Sequence, residues 1–197
     1  MLVILDPGHA AGVAGKRSPD GRLREYKWAR EITGMLEKEL DALQIQHVRS
    51  TPPSEDEGKE PGLTLRCQRA NKAAKSHEGK SIFVSIHINA AGSAGKWMTA
   101  RGWSVFVGTS ASSNSKKLAS YMTAKAREAG VKVRVPDPQH EYWTANFTVL
   151  NKTSMPAVIV ENFFQDNLED VEFLLSDAGK KTVVNIILGG IKNYFGL

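Results

Sequence analysis

The chain has 197 residues, 41% of them hydrophobic, enough to bury the core of one globular domain, and a single domain over residues 1–197 is expected. Its 26 lysines and arginines against 21 acids give a net charge of +5. That balance favours an anionic partner in a general way, but the basic residues are interleaved with acids and lack the clustered stripe of a nucleic-acid binder. The one cysteine, Cys67, excludes an intramolecular disulfide and a cysteine-ligated zinc cluster, and reads as a small buried residue of a helix.

In chain order, Leu2-Val3-Ile4-Leu5 is strand-like and breaks at once into Asp6-Pro7-Gly8-His9. A glycine-rich loop, residues 11–23, follows. Trp28, Ile32, Met35, Leu36, Leu40 and Leu43 then recur at spacings of three and four, predicting an amphipathic helix over residues 25–43. Residues 45–48 read as a strand ended by Pro52-Pro53, residues 55–60 as an acidic loop, and residues 65–74 as a helix. Ser81-Ile82-Phe83-Val84-Ser85-Ile86-His87 has the near-continuous apolar character of a strand covered on both faces. Loops are expected at residues 90–101 and 136–147, a helix at 115–129, a second buried strand at 157–160 ending on Glu161, and a last helix at 180–195. No run approaches the length of a membrane span, so no membrane insertion is expected.

Strands alternating with helices predict an α/β fold, a three-layer α/β/α sandwich around a mostly parallel, twisted sheet. In such sheets, sites form beyond the carboxyl ends of the strands. Three apolar strands here run into ionisable residues: Leu5 leads to His9, Ile86 to His87 and Val160 to Glu161. Each alone is explained by a turn, a satisfied buried imidazole or a helix cap. Three at one sheet edge point to a site. Two histidines and a carboxylate form the ligand set of a catalytic zinc centre, and glutamates beyond it are candidates for the general base. There is no HExxH helix to fix two ligands locally, and the residues alone carry the reading as far as a metal hydrolase.

The successive segments LDPGHA, REYKWAREI, LRCQRAN, SIHIN and MPAVIVENFFQDN resemble, in order and along the whole chain, the motifs of the zinc-dependent N-acetylmuramoyl-L-alanine amidases of the amidase type 3 family. The resemblance implies one Zn2+ per chain held by His9, Glu25 and His87, with Glu161 as the catalytic glutamate. The residues themselves do not decide which of Glu25 and Glu161 binds metal; the family pattern does. The implied substrate is peptidoglycan, cut at the amide between N-acetylmuramic acid and L-alanine of the stem peptide. The alternatives are a zinc peptidase cutting within the stem peptide and a non-catalytic wall-binding module, which would be expected to lack a ligand or Glu161.

Asp6 is expected to orient His9 or to form a turn before Pro7, Asn89 to play a structural or substrate-facing part, and Arg66 to pack and make a buried polar contact. Trp97, Tyr142 and Trp143 are suited to stacking on sugar or peptide, or to packing. His47, His77 and His140 are expected to be structural or solvated. Departures from the family pattern are Ala10-Ala11-Gly12 after the histidine, Pro52 in place of an arginine, and Phe163 in place of a glycine. With no export signal at the start of the sequence, the expected setting is cytoplasmic synthesis and action on the wall or periplasm, as for an endolysin released through a phage pore; an export signal trimmed away would look the same.

Overall fold

The computed structural model describes residues 1–55, 58–92 and 95–197. Asp56 and Glu57 of the acidic loop, and Ser93 and Ala94 of the 90–101 loop, lie outside the described residues.

Six strands form one sheet: β1 (Leu2–Pro7), β2 (Gln46–Arg49), β3 (Ser81–Asn89), β4 (Ser104–Gly108), β5 (Trp143–Ala145) and β6 (Ala157–Phe164), in the order β2-β1-β3-β6-β4-β5. The first four of that order run parallel; β4 pairs antiparallel with β6 and parallel with β5. Among the described residues there are six α-helices, α1 (Glu25–Ala42), α2 (Leu63–Lys75), α3 (Ser113–Glu128), α4 (Thr148–Asn151), α5 (Leu168–Leu175) and α6 (Asp177–Phe195), and a short 3-10 turn at Pro53–Glu55.

Strand alternation sorts side chains onto two faces. Val3, Leu5, Val84, Ile86, Val105, Val107, Val158 and Val160 pack with α1, α3, α5 and α6 in the larger core cluster. Leu2, Ile4, Phe83, Ala157 and Ile159 face the opposite way, against Cys67 and Ala70 of α2 and Val149 and Leu150 of α4. The three-layer sandwich is therefore unequal, with a thick helical layer on one side and a thin one on the other. Cys67 is buried, as its place in a helix predicted.

Four elements went unread in the sequence. β4 and β5 were missed because a five-residue and a three-residue strand carry little periodicity of their own; β5 lies within the 136–147 segment read as a loop. α4 and α5 are short helices of four and eight residues. In addition, β6 does not stop at Glu161 but continues to Phe164. It does so through a bulge: His87 pairs with Glu161 and Asn89 with Phe164, so β6 carries one residue more than β3 between those pairs.

Candidate active site

The site lies at the carboxyl edge of β1, β3 and β6. His9 follows β1 after a tight turn and adopts a left-handed backbone, φ 56°, which is costly for a residue with a side chain and typical of positions held by their surroundings. Gly8 is essential to that turn. A Cβ there would lie 2.7 Å from His87 Nδ1 and 2.9 Å from the Ile86 carbonyl, so only glycine lets the turn pass so close to β3.

Glu25 is the first residue of α1. The preceding loop folds back to place it: Arg17 bridges Arg24, and the Glu25 amide donates to the Lys16 carbonyl at 3.0 Å. Its side chain is fully buried, and Oε1 accepts from the Ile88 amide at 2.9 Å while lying 3.1 Å from His87 Nδ1 and 3.7 Å from His9 Nε2. The rings of His9 and His87 stand nearly perpendicular with centroids 5.0 Å apart. One ligand atom from each of His9, Glu25 and His87 falls within 4.8 Å of the others.

The electrostatics of this cluster call for a cation. Burial pushes the Glu25 carboxyl up, but the His87 hydrogen bond and the charges of His87 and His9 outweigh it and hold the group below its ordinary value. Burial likewise disfavours the charged form of His87, yet the hydrogen bond and charge of Glu25 raise it. The second carboxylate oxygen of Glu25 is buried without a partner, a costly state for an anion unless a positive charge shares the space. Two imidazoles and a carboxylate are the donors zinc takes, with room for a fourth ligand.

Glu161 stands beside His87 in register on the same face, with Ser104 of β4 on its other side. Its Oε2 is buried and unpartnered, as is the Ser104 hydroxyl. Burial pushes the Glu161 carboxyl up to about 7; the charge of His87 lowers it and that of Glu25 raises it. A carboxyl near neutrality is suited to taking and returning a proton.

With that geometry in place, similarity to known proteins is decisive: residues 3–193 match the amidase type 3 family, described as N-acetylmuramoyl-L-alanine amidase. The chain belongs to this family. Among curated relatives of this amidase-family chain, the endolysin of Bacillus phage SPP1 is 29% identical over 181 residues, 90% of the chain and 59% of the endolysin. The amidase CwlM of Bacillus licheniformis is 28% identical, across 100% of the chain and 70% of that protein. The chain thus spans about three fifths of the endolysin it matches. Among solved structures, the amidase Ami1 of Mycobacterium smegmatis superposes with a TM-score of 0.84 at 22% identity, covering 100% of this chain and 97% of that one. The catalytic domain of CwlV from Bacillus (Paenibacillus) polymyxa var. colistinus gives 0.76 at 24% identity, covering 99% and 98%. These structures share the amidase fold.

The remaining sequence candidates fall into place as follows. Asp6 is buried away from His9, bonded by the hydroxyls of Ser50 and Ser85, the latter at 2.6 Å, and by Arg66 Nη1 at 3.2 Å. The reading of Asp6 as the partner of His9 is therefore corrected: the carboxylate facing the outer nitrogen of His9 is Glu60, 3.2 Å from Nδ1. Arg66 is also buried and does not face substrate; it makes the polar contact expected of it, to Asp6 and the Pro7 carbonyl. Asn89 turns its Oδ1 back to accept from the Ala90 amide at 2.8 Å, a turn-forming contact. Trp143 stacks on Phe106 two strands away from β6, and its indole donates to the Arg134 carbonyl, so it packs the sheet edge rather than the site. Tyr142 packs on the larger core, whereas Trp97 is exposed. His47 pairs with Asp41 and His140 with Asp137, both away from the cluster.

The sequence reading passed over Asn162. This fully buried side chain donates to the His87 carbonyl at 3.0 Å and accepts from Trp103 Nε1 at 3.2 Å, tying the bulge of β6 to β3 and to the segment before β4. The next residue, Phe163, has φ 64°, which accounts for the glycine the family pattern carries there. Its ring is buried against Phe173, so packing offsets the backbone cost.

Proposed function

We propose that the chain is the catalytic domain, residues 1–197, of a zinc-dependent peptidoglycan hydrolase that cleaves the amide between the lactyl group of N-acetylmuramic acid and L-alanine of the stem peptide. The observation that carries this reading is the pairing of His87 with Glu161: a buried carboxyl with an unpartnered oxygen lies in register with one member of a two-histidine, one-glutamate cluster.

His9, Glu25 and His87 would hold the ion. Zinc, when bound, polarises a carbonyl oxygen and draws the pKa of water towards neutrality. Glu161 takes the proton of the attacking water through Oε2, which is buried and free of other partners, and returns it to the departing amine. Ser104 and Ile88 border this chemistry from the neighbouring strands, and Asn162 holds the strand end on which Glu161 sits.

Similarity to a phage endolysin supports a role in cell-wall lysis, with action on the wall or periplasm. Among the described residues no helix is long and apolar enough to cross a membrane.

The test pairs metal content with product analysis. Purified protein should hold about one zinc per chain, and peptidoglycan treated with it should release stem peptides with free L-alanine amino termini. Glu161→Ala should keep the zinc and lose the new termini. Zinc without termini at L-alanine would instead indicate cleavage within the stem peptide, and protein that takes up no zinc would overturn the reading.

A further inference from the structure

We propose that Glu60 is a positioning residue for the metal site: it fixes the ring of His9 from its outer nitrogen and is itself anchored by Arg66. This rests on the zinc reading above.

His9 is the least supported member of the cluster. His87 belongs to a central strand and Glu25 to the first turn of a long helix, whereas His9 lies beyond the end of β1 in a left-handed backbone, with a side chain 16% exposed. Its ring presents Nε2 to Glu25 Oε1 at 3.7 Å and Nδ1 to Glu60 Oε1 at 3.2 Å. The approach to Nδ1 is close but bent from the ring N–H direction. A metal-bound imidazole keeps its proton on the far nitrogen, and that nitrogen is ordinarily held by a carboxylate, carbonyl or water. Glu60 is the carboxylate in that place.

Arg66 makes Glu60 more than a surface acid. Its guanidinium is buried and spends its donors on four fixed acceptors: Nη2 on Glu60 Oε1 at 2.9 Å, Nη1 on Asp6 Oδ1 and the Pro7 carbonyl, both at 3.2 Å, and Nε on the Pro61 carbonyl at 3.2 Å. One planar side chain therefore ties the end of β1, immediately before the turn that carries His9, to the segment that carries Glu60. The fork geometry of arginine suits this double grip, which a lysine would not reproduce.

The experiment measures zinc affinity by chelator competition on wild type, Glu60→Ala, Glu60→Gln and, as a control for the same loop, Glu55→Ala, whose carboxylate pairs with Arg69 and does not touch His9. Circular dichroism checks that each metal-free protein is folded. Removing such a partner weakens metal binding by about 10–100-fold. Glu60→Ala should show a loss in that range, Glu60→Gln a smaller one, and Glu55→Ala none. A folded Glu60→Ala that binds zinc as tightly as wild type overturns the proposal and leaves the zinc reading standing, as does an equal loss in Glu55→Ala. Wild type that binds no zinc overturns both.

Discussion

The sheet has two halves that differ in direction and in task. In the parallel half, β1, β3 and β6 run side by side and end at one edge, so groups at three strand ends meet there: the turn to His9, then His87, then Glu161. The reversed half, β4 and β5, enters that edge at Ser104 and leaves it, so its strand ends point to the far side of the molecule. Phe106 of β4 stacks on Trp143 of β5 and meets Phe147, just beyond β5, edge-on, instead of lining the site. Parallel strands gather chemistry at one edge; the reversed pair walls the site with the backbone of β4 and closes the sheet.

The largest expected effect is at Gly8. Gly8→Ala forces a Cβ into His87 and the Ile86 carbonyl, displacing either the turn or the ring by a sizeable fraction of an ångström. Turnover of peptidoglycan should fall by about 100-fold or more, read alongside zinc content. An active Gly8→Ala protein would mean that the edge tolerates looser packing than the geometry allows.

Asn162→Ala tests the join between the halves. It leaves the Trp103 indole N–H and the His87 carbonyl without their buried partner and should destabilise the fold by about 1–3 kcal/mol in denaturant unfolding. Because the bulge aims the strand end, turnover should fall as well.

Glu161→Gln should do the opposite to stability. In the metal-free protein the Glu161 carboxyl is raised by burial from an ordinary 4.5 to about 7, so the unfolded chain ionises first as pH rises. Wild type therefore loses stability between about pH 4.5 and 7, and the loss persists above that range. Glu161→Gln escapes it: its melting temperature should match wild type near pH 4 and exceed it by a few degrees at pH 8, measured by thermal melts in chelator. Equal melting temperatures at both values would show that the carboxyl is solvated.

The smallest effect belongs to the reversed half. Trp143→Ala should cost about 1 kcal/mol of stability through lost stacking on Phe106, while kcat and KM stay within about twofold of wild type. A large rise in KM would extend the substrate groove across β5 and restore the stacking role that its aromatic character suggested.

Much of the parallel half was legible because its strands are long, apolar and flanked by helices with strong periodicity. Val84 and Val160 sit within runs that no other element explains, and the ionisable residues after them stand out against that background. The reversed half was illegible for the converse reason: Ser104–Gly108 and Trp143–Ala145 are short and owe their strand character to their neighbours. Phe163 stood out as a residue in a glycine position, but its meaning, a left-handed turn within a bulge, emerged only with the register of β6 against β3.

The amino-acid order by itself determined the α/β class and the strands whose ends meet at one edge, and the family pattern singled out His9, Glu25, His87 and Glu161, which the fold brings to that edge. Those properties are local, since periodicity, turn chemistry and motif order are all written along the chain. What holds the set together was decided by the tertiary structure. Asp6 precedes His9 by three residues, yet it turns into the core to meet Ser50, Ser85 and Arg66, while Glu60, far along the chain, reaches the ring. A buried carboxylate is placed by the donors that fold around it, and those donors come from β3, α2 and the end of β2, which no local pattern connects.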